Sequence, residues 1–215
     1  MEQAETTATQ NAPERLPPKK TVDVSALRIR RMRPEDVDDV MEIESVSFGR
    51  HHWVADSFLA EMNNAIGRYF SLLMPLSPIN DETSDASKPE KLIGYGGFWH
   101  VIDEAHITTV AVAPEYRGNA LGEVMFLQMI EHCYKLSIHW ATLEVRSGNH
   151  AAQNLYYKYG LQCVGVRPKY YQDNQEDALI MTSGDLTDRE QQALYNQNKA
   201  ALLNRLGAFP RQFGE

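Results

Sequence analysis

Two side chains and one turn carry the chemistry legible in this chain. Glu144 interrupts an apolar, β-prone run from Trp140 to Arg146. Strand alternation puts Ala141, Leu143 and Val145 on one face and Thr142, Glu144 and Arg146 on the other. A carboxylate near a sheet centre needs a reason, since burying its charge is costly. Two are open: a general base, or an ion pair with Arg146 or Arg167. Tyr156 lies seven residues after Asn149, the expected N-cap of a helix ending at Gly160. It is either a proton donor or a core tyrosine with a satisfied hydroxyl. The turn spans Thr108 to Gly122. A short strand, Val110-Ala111-Val112, is stopped by Pro114, and Arg117-Gly118-Asn119-Ala120-Leu121-Gly122 leads directly into a long apolar helix. The first amides of such a helix lack partners, and its dipole adds about half a positive charge, so a pyrophosphate fits there. The alternative is an ordinary strand–helix turn.

The turn resembles the acyl-CoA signature of the GNAT superfamily of N-acetyltransferases, Gln/Arg-x-x-Gly-x-Gly/Ala. Arg117 and Gly122 match, and Ala120 stands where that family usually has glycine, with a methyl group that would crowd the backbone or a pyrophosphate. The segment from Leu143-Glu144-Val145-Arg146-Ser147 through Asn149, Ala151-Ala152, Leu155-Tyr156 and Gly160-Leu161 is similar to the second half of the RimI-type members. These acetylate the N-terminal alanine of a small-subunit ribosomal protein. Val164-Gly165-Val166-Arg167, Tyr170-Tyr171 and Glu176 to Met181 continue the likeness, which covers about Ile29 to Met181 and is dense from His106 onward.

The resemblance implies a GNAT fold of the α/β (α+β) class. Its mixed, mostly antiparallel sheet would have about seven strands, a central splay between the strands at about 106–112 and 140–146, and about four flanking helices. It implies acetyl-CoA as co-substrate and no metal. Glu144 would be the general base and Tyr156 the general acid. Val110, Ala111 and Val112 would bind acetyl-CoA through backbone groups. Arg117, Gly118, Asn119, Ala120, Leu121, Gly122 and Glu123 would hold its pyrophosphate, and Asn149 would contact it. Tyr170 and Tyr171 would sit on a loop beside the acceptor. The family commonly has aromatic-Pro-Trp after the first helix; Phe48 to Trp53 is longer here, and its adjacent His51 and His52 read as surface residues.

Acetyl transfer to an amine needs a base for the amine, polarisation of the carbonyl and a proton for the departing thiolate. A phenol of pKa about 10 can supply that proton to a thiolate whose thiol resembles cysteine, about 8.5. An α-amine, at about 7.7–8.0, is easier to deprotonate than lysine, at about 10.4; the gap of about 2.5 units is roughly 3.4 kcal/mol. This ranks a protein N-terminus first. Lysines, small-molecule amines, or CoA binding with weak catalysis are the alternatives.

The elements that position these residues follow in chain order. Residues 1 to 25 are polar and aperiodic and read as a disordered tail; the catalytic domain is expected over 26–184. Ala26 to Arg33 reads as a strand. Pro34-Glu35-Asp36 opens a helix to about Val46, its acids suiting the dipole. A second helix covers Val54 to Asn64. Strands are expected at Tyr69–Met74, Lys91–His100 and Asp103–Val112, with a variable loop over 75–90 and a bulge hinted by Gly94, Gly96 and Gly97. A helix from about Asn119 to Leu136 is apolar nearly all round, so it should lie buried on the sheet. Gln162–Arg167 and Asp177–Thr182 complete the strands. Thr187-x-x-Glu190 reads as a capping box opening a C-terminal helical extension, 185–215, with Gly207 as its stop.

With 215 residues and 43% hydrophobic content the chain can bury one core. A net charge of −8 argues against nucleic acid and either suits a basic peptide or protein partner or only aids solubility. No apolar run reaches the roughly 18–20 residues of a membrane span. The N-terminal stretch has no apolar core of a secretory signal. Cys133 and Cys163 lack zinc spacing and read as buried thiols in a reducing cytoplasm.

Overall fold

The computed structural model describes residues 18–48, 53–76 and 90–212. The element order is β1 (Arg28–Arg31), α1 (Val37–Phe48), α2 (Ala55–Asn63), β2 (Gly67–Pro75), β3 (Glu90–Val101), β4 (Glu104–Val112), α3 (Leu121–Lys135), β5 (Trp140–Arg146), α4 (His150–Lys158), β6 (Gln162–Tyr171), β7 (Glu176–Thr182), α5 (Arg189–Leu206) and β8 (Arg211–Gln212). One sheet runs β6-β7-β5-β4-β3-β2-β1-β8. Its pairings are antiparallel except β4 with β5 and β1 with β8. This is the mixed, mostly antiparallel sheet anticipated, with the two-residue β8 added at one edge.

The β4–β5 seam decides where a ligand can go. It is paired from Glu104↔Trp140 to Ile107↔Leu143 and stops there. Two features pull the strands apart. In β4 the register against β3 shifts at Thr108, leaving it as an extra residue between Ile107 and Thr109. Such a bulge bends its strand. The Thr108 hydroxyl donates to the Gly97 carbonyl at 3.2 Å and lies 3.2 Å from the Tyr69 hydroxyl, fixing the bend. Gly97 is required: a Cβ there would sit 2.2 Å from the Tyr69 ring. On the other side β5 stays paired with β7 through Arg146↔Ala178 and turns with it.

α3 is buried on almost every side, as its all-round apolarity demands, and packs on β3 and β4. α5 is not a free extension. Tyr195 and Leu202 are buried, Gln191 donates to the Tyr159 carbonyl at 2.7 Å and Asn198 to the Lys158 carbonyl at 2.8 Å, so α5 lies against α4.

Several local expectations change. Asp36 is not a surface dipole partner: it is buried, takes a bidentate pair from Arg30 at 2.6 and 2.8 Å, and accepts from Ser71 and the Arg33 amide. The residues Pro34–Asp36 form a 3₁₀ turn before α1. The Thr187/Glu190 capping box does not form, because Asp185 captures the Thr187 amide and hydroxyl at 2.8 and 2.7 Å; α5 starts one residue past Asp188. Cys163 is exposed, since it lies on edge strand β6, while Cys133 is buried. The β6 strand continues through Pro168 to Tyr171, so Tyr170 and Tyr171 end a strand rather than sit in a loop. The tail boundary at residue 25 also moves: Asp23 caps a 3₁₀ turn at Val24–Ala26, and Val24 joins the core. Residues 1–17, the insertion around His51 and His52, and most of the 75–90 loop lie outside the described residues.

Candidate active site

Where β4 and β5 part, a cavity of about 490 Å³ opens. Its lining brings together Glu144, Tyr156, Val110, Asn149, Tyr170 and Tyr171 from separate stretches of sequence. The same cavity takes in Trp99, His106 and Glu44, which sequence reasoning missed. His106 carried a signal in retrospect: an imidazole in a strand that after Glu104 is otherwise filled by Ala, Ile, Thr and Val, two residues before the bulge.

Glu144 is 10% exposed and doubly paired. Its carboxylate meets His106 Nε2 at 3.0 Å and Arg167 Nε at 3.0 Å. The His106 hydrogen bond is the main influence that holds its pKa below the ordinary carboxylate value, against burial; Arg167 adds to it. His106 is raised in turn, chiefly by that same bond. Its ring stacks on Trp99 across the β3–β4 pair, 5.8 Å between centroids, and the Trp99 indole is fixed by Glu61 at 2.6 Å. Of the two arginines expected beside Glu144, only Arg167 pairs with it. Arg146 is committed to Asp173 and Glu176 and lies 3.9 Å over the Tyr171 ring.

Tyr156 comes from α4, whose first turn is capped by Asn149: its side chain accepts from the Ala152 amide at 3.2 Å. Burial is the main cause that pushes the Tyr156 phenol up to about 12, with the neighbouring Tyr171 adding to it. Among the described residues its hydroxyl has no hydrogen-bond partner, which leaves it available to a ligand in the cavity. Deeper in, Glu44 is buried, accepts from the Tyr95 hydroxyl and takes the Trp53 amide at 3.3 Å.

The other side of the seam is made of backbone. Val110, Ala111 and Val112 pair with β3 on one edge, and their other edge runs past the end of the β5 pairing. The turn follows. Gly118 has φ +87°, and Ala120, the N-cap of α3, is left-handed at φ 59°, ψ 15°, with no side-chain cap bond. The first intrahelical acceptor, Ala120 O, is taken by the Val124 amide, so the amides of Leu121, Gly122 and Glu123 precede the ladder. The side chains of this turn are occupied elsewhere. Arg117 donates to the Val112 carbonyl at 2.9 Å and to Ser47 at 2.8 Å. Leu121 is in the core, and Glu123 is bound by Lys158, Tyr159 and Arg205. Asn119 donates to the carbonyls of Lys20 and Tyr116.

A mixed sheet split between β4 and β5, with an uncapped helix following β4 and a carboxylate and a phenol in the cavity lining, has groups that acyl transfer can use, and similarity to known proteins assigns the class. A family model described as the acetyltransferase (GNAT) family matches residues 38–161, and this chain belongs to that family. It is an acetyl-CoA-dependent acyltransferase. A Bacillus subtilis (strain 168) protein, provisionally named a ribosomal protein bS18-alanine N-acetyltransferase, is 44% identical over 154 residues, 71% of this chain and 92% of that one. The ribosomal protein bS18-alanine N-acetyltransferase of Escherichia coli (strain K12) is 37% identical over 83 residues, 38% of this chain and 56% of its own. The crystal structure of the ribosomal-protein-S18-alanine N-acetyltransferase from Escherichia coli matches with a TM-score of 0.60 at 25% identity, over 74% of this chain and 94% of that one. No helix of the described residues is long and apolar enough to cross a membrane.

Proposed function

We propose that this chain acetylates the α-amine of a protein N-terminus, and that the N-terminal alanine of a small-subunit ribosomal protein is its acceptor. One observation carries the reading: Glu144 and Tyr156, from two different elements, line the same cavity at the point where β4 and β5 separate. The relatives' acceptor, ribosomal protein S18, supplies the class of substrate.

The site fits acetyl-CoA. The edge of Val110–Val112 beyond the β5 pairing, where Arg117 already takes the Val112 carbonyl, suits the amides of a pantetheine arm at Val110, and the amides from Gly118 to Glu123, ahead of the α3 ladder, suit a pyrophosphate. When bound, acetyl-CoA supplies an acyl group already activated as a thioester. The chain's residues do the rest. Glu44 and Glu144 line the cavity and offer carboxylate oxygens that can accept hydrogen bonds from an incoming ammonium group. Glu144 takes the proton from the acceptor amine, directly or through a water. Held low by His106 and Arg167, it is a weak base, which favours an α-amine of about 7.7–8.0 over a lysine of about 10.4. His106 fixes the carboxylate and receives positive charge beside it. Tyr156, protonated across the neutral range, donates to the departing sulfur. Full transfer from a phenol at about 12 to a thiolate of about 8.5 runs uphill. Its contribution is therefore a hydrogen bond to the developing charge, with water finishing the protonation. Tyr170 and Tyr171 flank the acceptor's first residues.

The test is mass spectrometry of acetylated peptides. A set with free N-terminal alanine should be modified at the α-amine, and the same peptides with blocked N-termini should not. Modification of lysines in the blocked set would overturn the reading.

A further inference from the structure

The chain N-terminal to the fold crosses the turn proposed to hold pyrophosphate. The Lys20 amide donates to the Glu115 carbonyl at 2.7 Å, and the Asn119 carboxamide donates back to the Lys20 carbonyl at 2.9 Å. These two bonds pin residues 19 and 20 across Glu115–Asn119, almost a hundred positions away in sequence. The pinning sets the Lys19 side chain over the turn: a Cβ built on Gly118 would lie 3.4 Å from its ammonium nitrogen. Lys19 is exposed and has no carboxylate partner among the described residues. Lys20 and Lys91 lie 5.6 and 5.9 Å from the centre of the neighbouring Tyr116 ring. In a chain of net charge −8, an exposed lysine held beside Gly118, in the turn that leads into helix amides that favour an anion, adds positive charge where a phosphate would gain from it.

We propose that Lys19 is a phosphate ligand for acetyl-CoA, carried on an N-terminal strap that completes the cradle begun by the Arg117–Gly122 turn. The turn itself offers only backbone donors, since Arg117 is spent on Val112 and Ser47. The strap adds a cation beside Gly118, where the Arg117 guanidinium is directed away to Val112 and Ser47. This rests on acetyl-CoA being the donor bound there.

Isothermal titration of the full chain with acetyl-CoA tests it. Lys19→Gln should weaken binding about two- to fivefold at low salt, the range of an exposed ion pair. The deficit should vanish at high salt, where such a pair is screened, and Lys19→Arg should restore wild-type affinity. Equal affinities of wild type and Lys19→Gln at low salt, or a deficit undiminished by salt, would overturn the strap while leaving the donor site in place. A wild-type chain that fails to bind acetyl-CoA would instead bring down the donor reading and the strap with it.

Discussion

The two sides of the cavity are built from different materials. The acceptor side is a set of charged and aromatic side chains locked to one another: Glu144 with His106 and Arg167, His106 on Trp99, Trp99 on Glu61. The donor side is main chain: the free edge of β4, a left-handed Ala120, and helix amides ahead of their ladder, with the side chains of Arg117, Leu121 and Glu123 turned to structural partners. In the reaction we propose, the difference follows from what each side would handle. A proton must pass to one defined atom, which takes a side chain of tuned basicity. A pyrophosphate spreads its charge over several oxygens, which a row of amides meets at once. Side-chain changes should therefore cut turnover on one side, while only changes of backbone shape or space should matter on the other.

The largest effect is expected at Glu144. Glu144→Gln keeps the shape and loses the proton acceptor, so turnover on a free-N-terminus peptide at pH 7 should fall about 10²–10⁴-fold with acetyl-CoA affinity retained. The loss should shrink above about pH 8, where the amine is already free. Tyr156→Phe should cost less, because water can finish the protonation. Wild-type turnover in Glu144→Gln would return that carboxylate to a structural role.

On the donor side the sharper probe is Gly122. Nothing lies within 4 Å of a Cβ built there, so the folded chain itself has room for alanine. Gly122→Ala should hold or raise the melting temperature, since alanine is the better helix former by up to about 1 kcal/mol. Alanine is also accepted at this position of the Gly/Ala signature, so its effect on acetyl-CoA affinity should be small. Gly122→Leu, a good helix former with a bulk that covers the turn, should weaken binding about tenfold, the 1.4 kcal/mol of one obstructed amide contact. Unchanged affinity in Gly122→Leu would mean that the phosphates do not approach this turn, and the division between the two sides would fail.

How far the sequence revealed each side has the same physical origin. Glu144 stood out because it interrupts an apolar strand; Tyr156 fits its helix as a core tyrosine would, and only the family resemblance singled it out. The splay was anticipated at the right strands, although its cause, the extra residue at Thr108 locked by Tyr69, depends on a cross-strand contact 39 positions away. His106 and Trp99 went unread because their meaning lies in cross-strand register, which one strand's sequence does not carry. Arg167 was read as one of two partners, and which arginine won was settled by Asp173 and Glu176 drawing Arg146 away. The Thr187 cap failed for a local reason: Asp185 competes for the same donors two residues earlier.

A smaller effect probes the acceptor-side lock. The His106 folded-state pKa is raised above its ordinary 6.5 by Glu144, so the stability it adds is fully present below 6.5 and is lost as pH rises through the raised value. Glu144 is lowered from 4.5, so its share is present above 4.5 and is lost as pH falls through the lowered value. The two windows overlap between 4.5 and 6.5. Thermal melts across pH should give the widest gap between wild type and His106→Asn in that interval, narrowing towards pH 8. A gap independent of pH would mean that the imidazole acts by packing on Trp99 alone.

The smallest effect is expected at Ala120, where a side chain sits on the side built from main chain. Its φ of 59° is the left-handed region, which costs a residue with a Cβ about 1–2 kcal/mol. Glycine would remove that strain and would lose about 0.5–1 kcal/mol in chain entropy. The Ala120 methyl also packs against the core, a contact that glycine would forfeit. The terms nearly cancel, leaving Ala120→Gly within about 1 kcal/mol of wild type, a shift of a few degrees in Tm for a chain of this size. Because glycine keeps the left-handed turn and removes a methyl, acetyl-CoA affinity should stay the same or tighten slightly. Titration of the variant reads this directly. A large loss of affinity would mean that the turn keeps its shape only through that methyl, and that the donor side depends on a side chain after all.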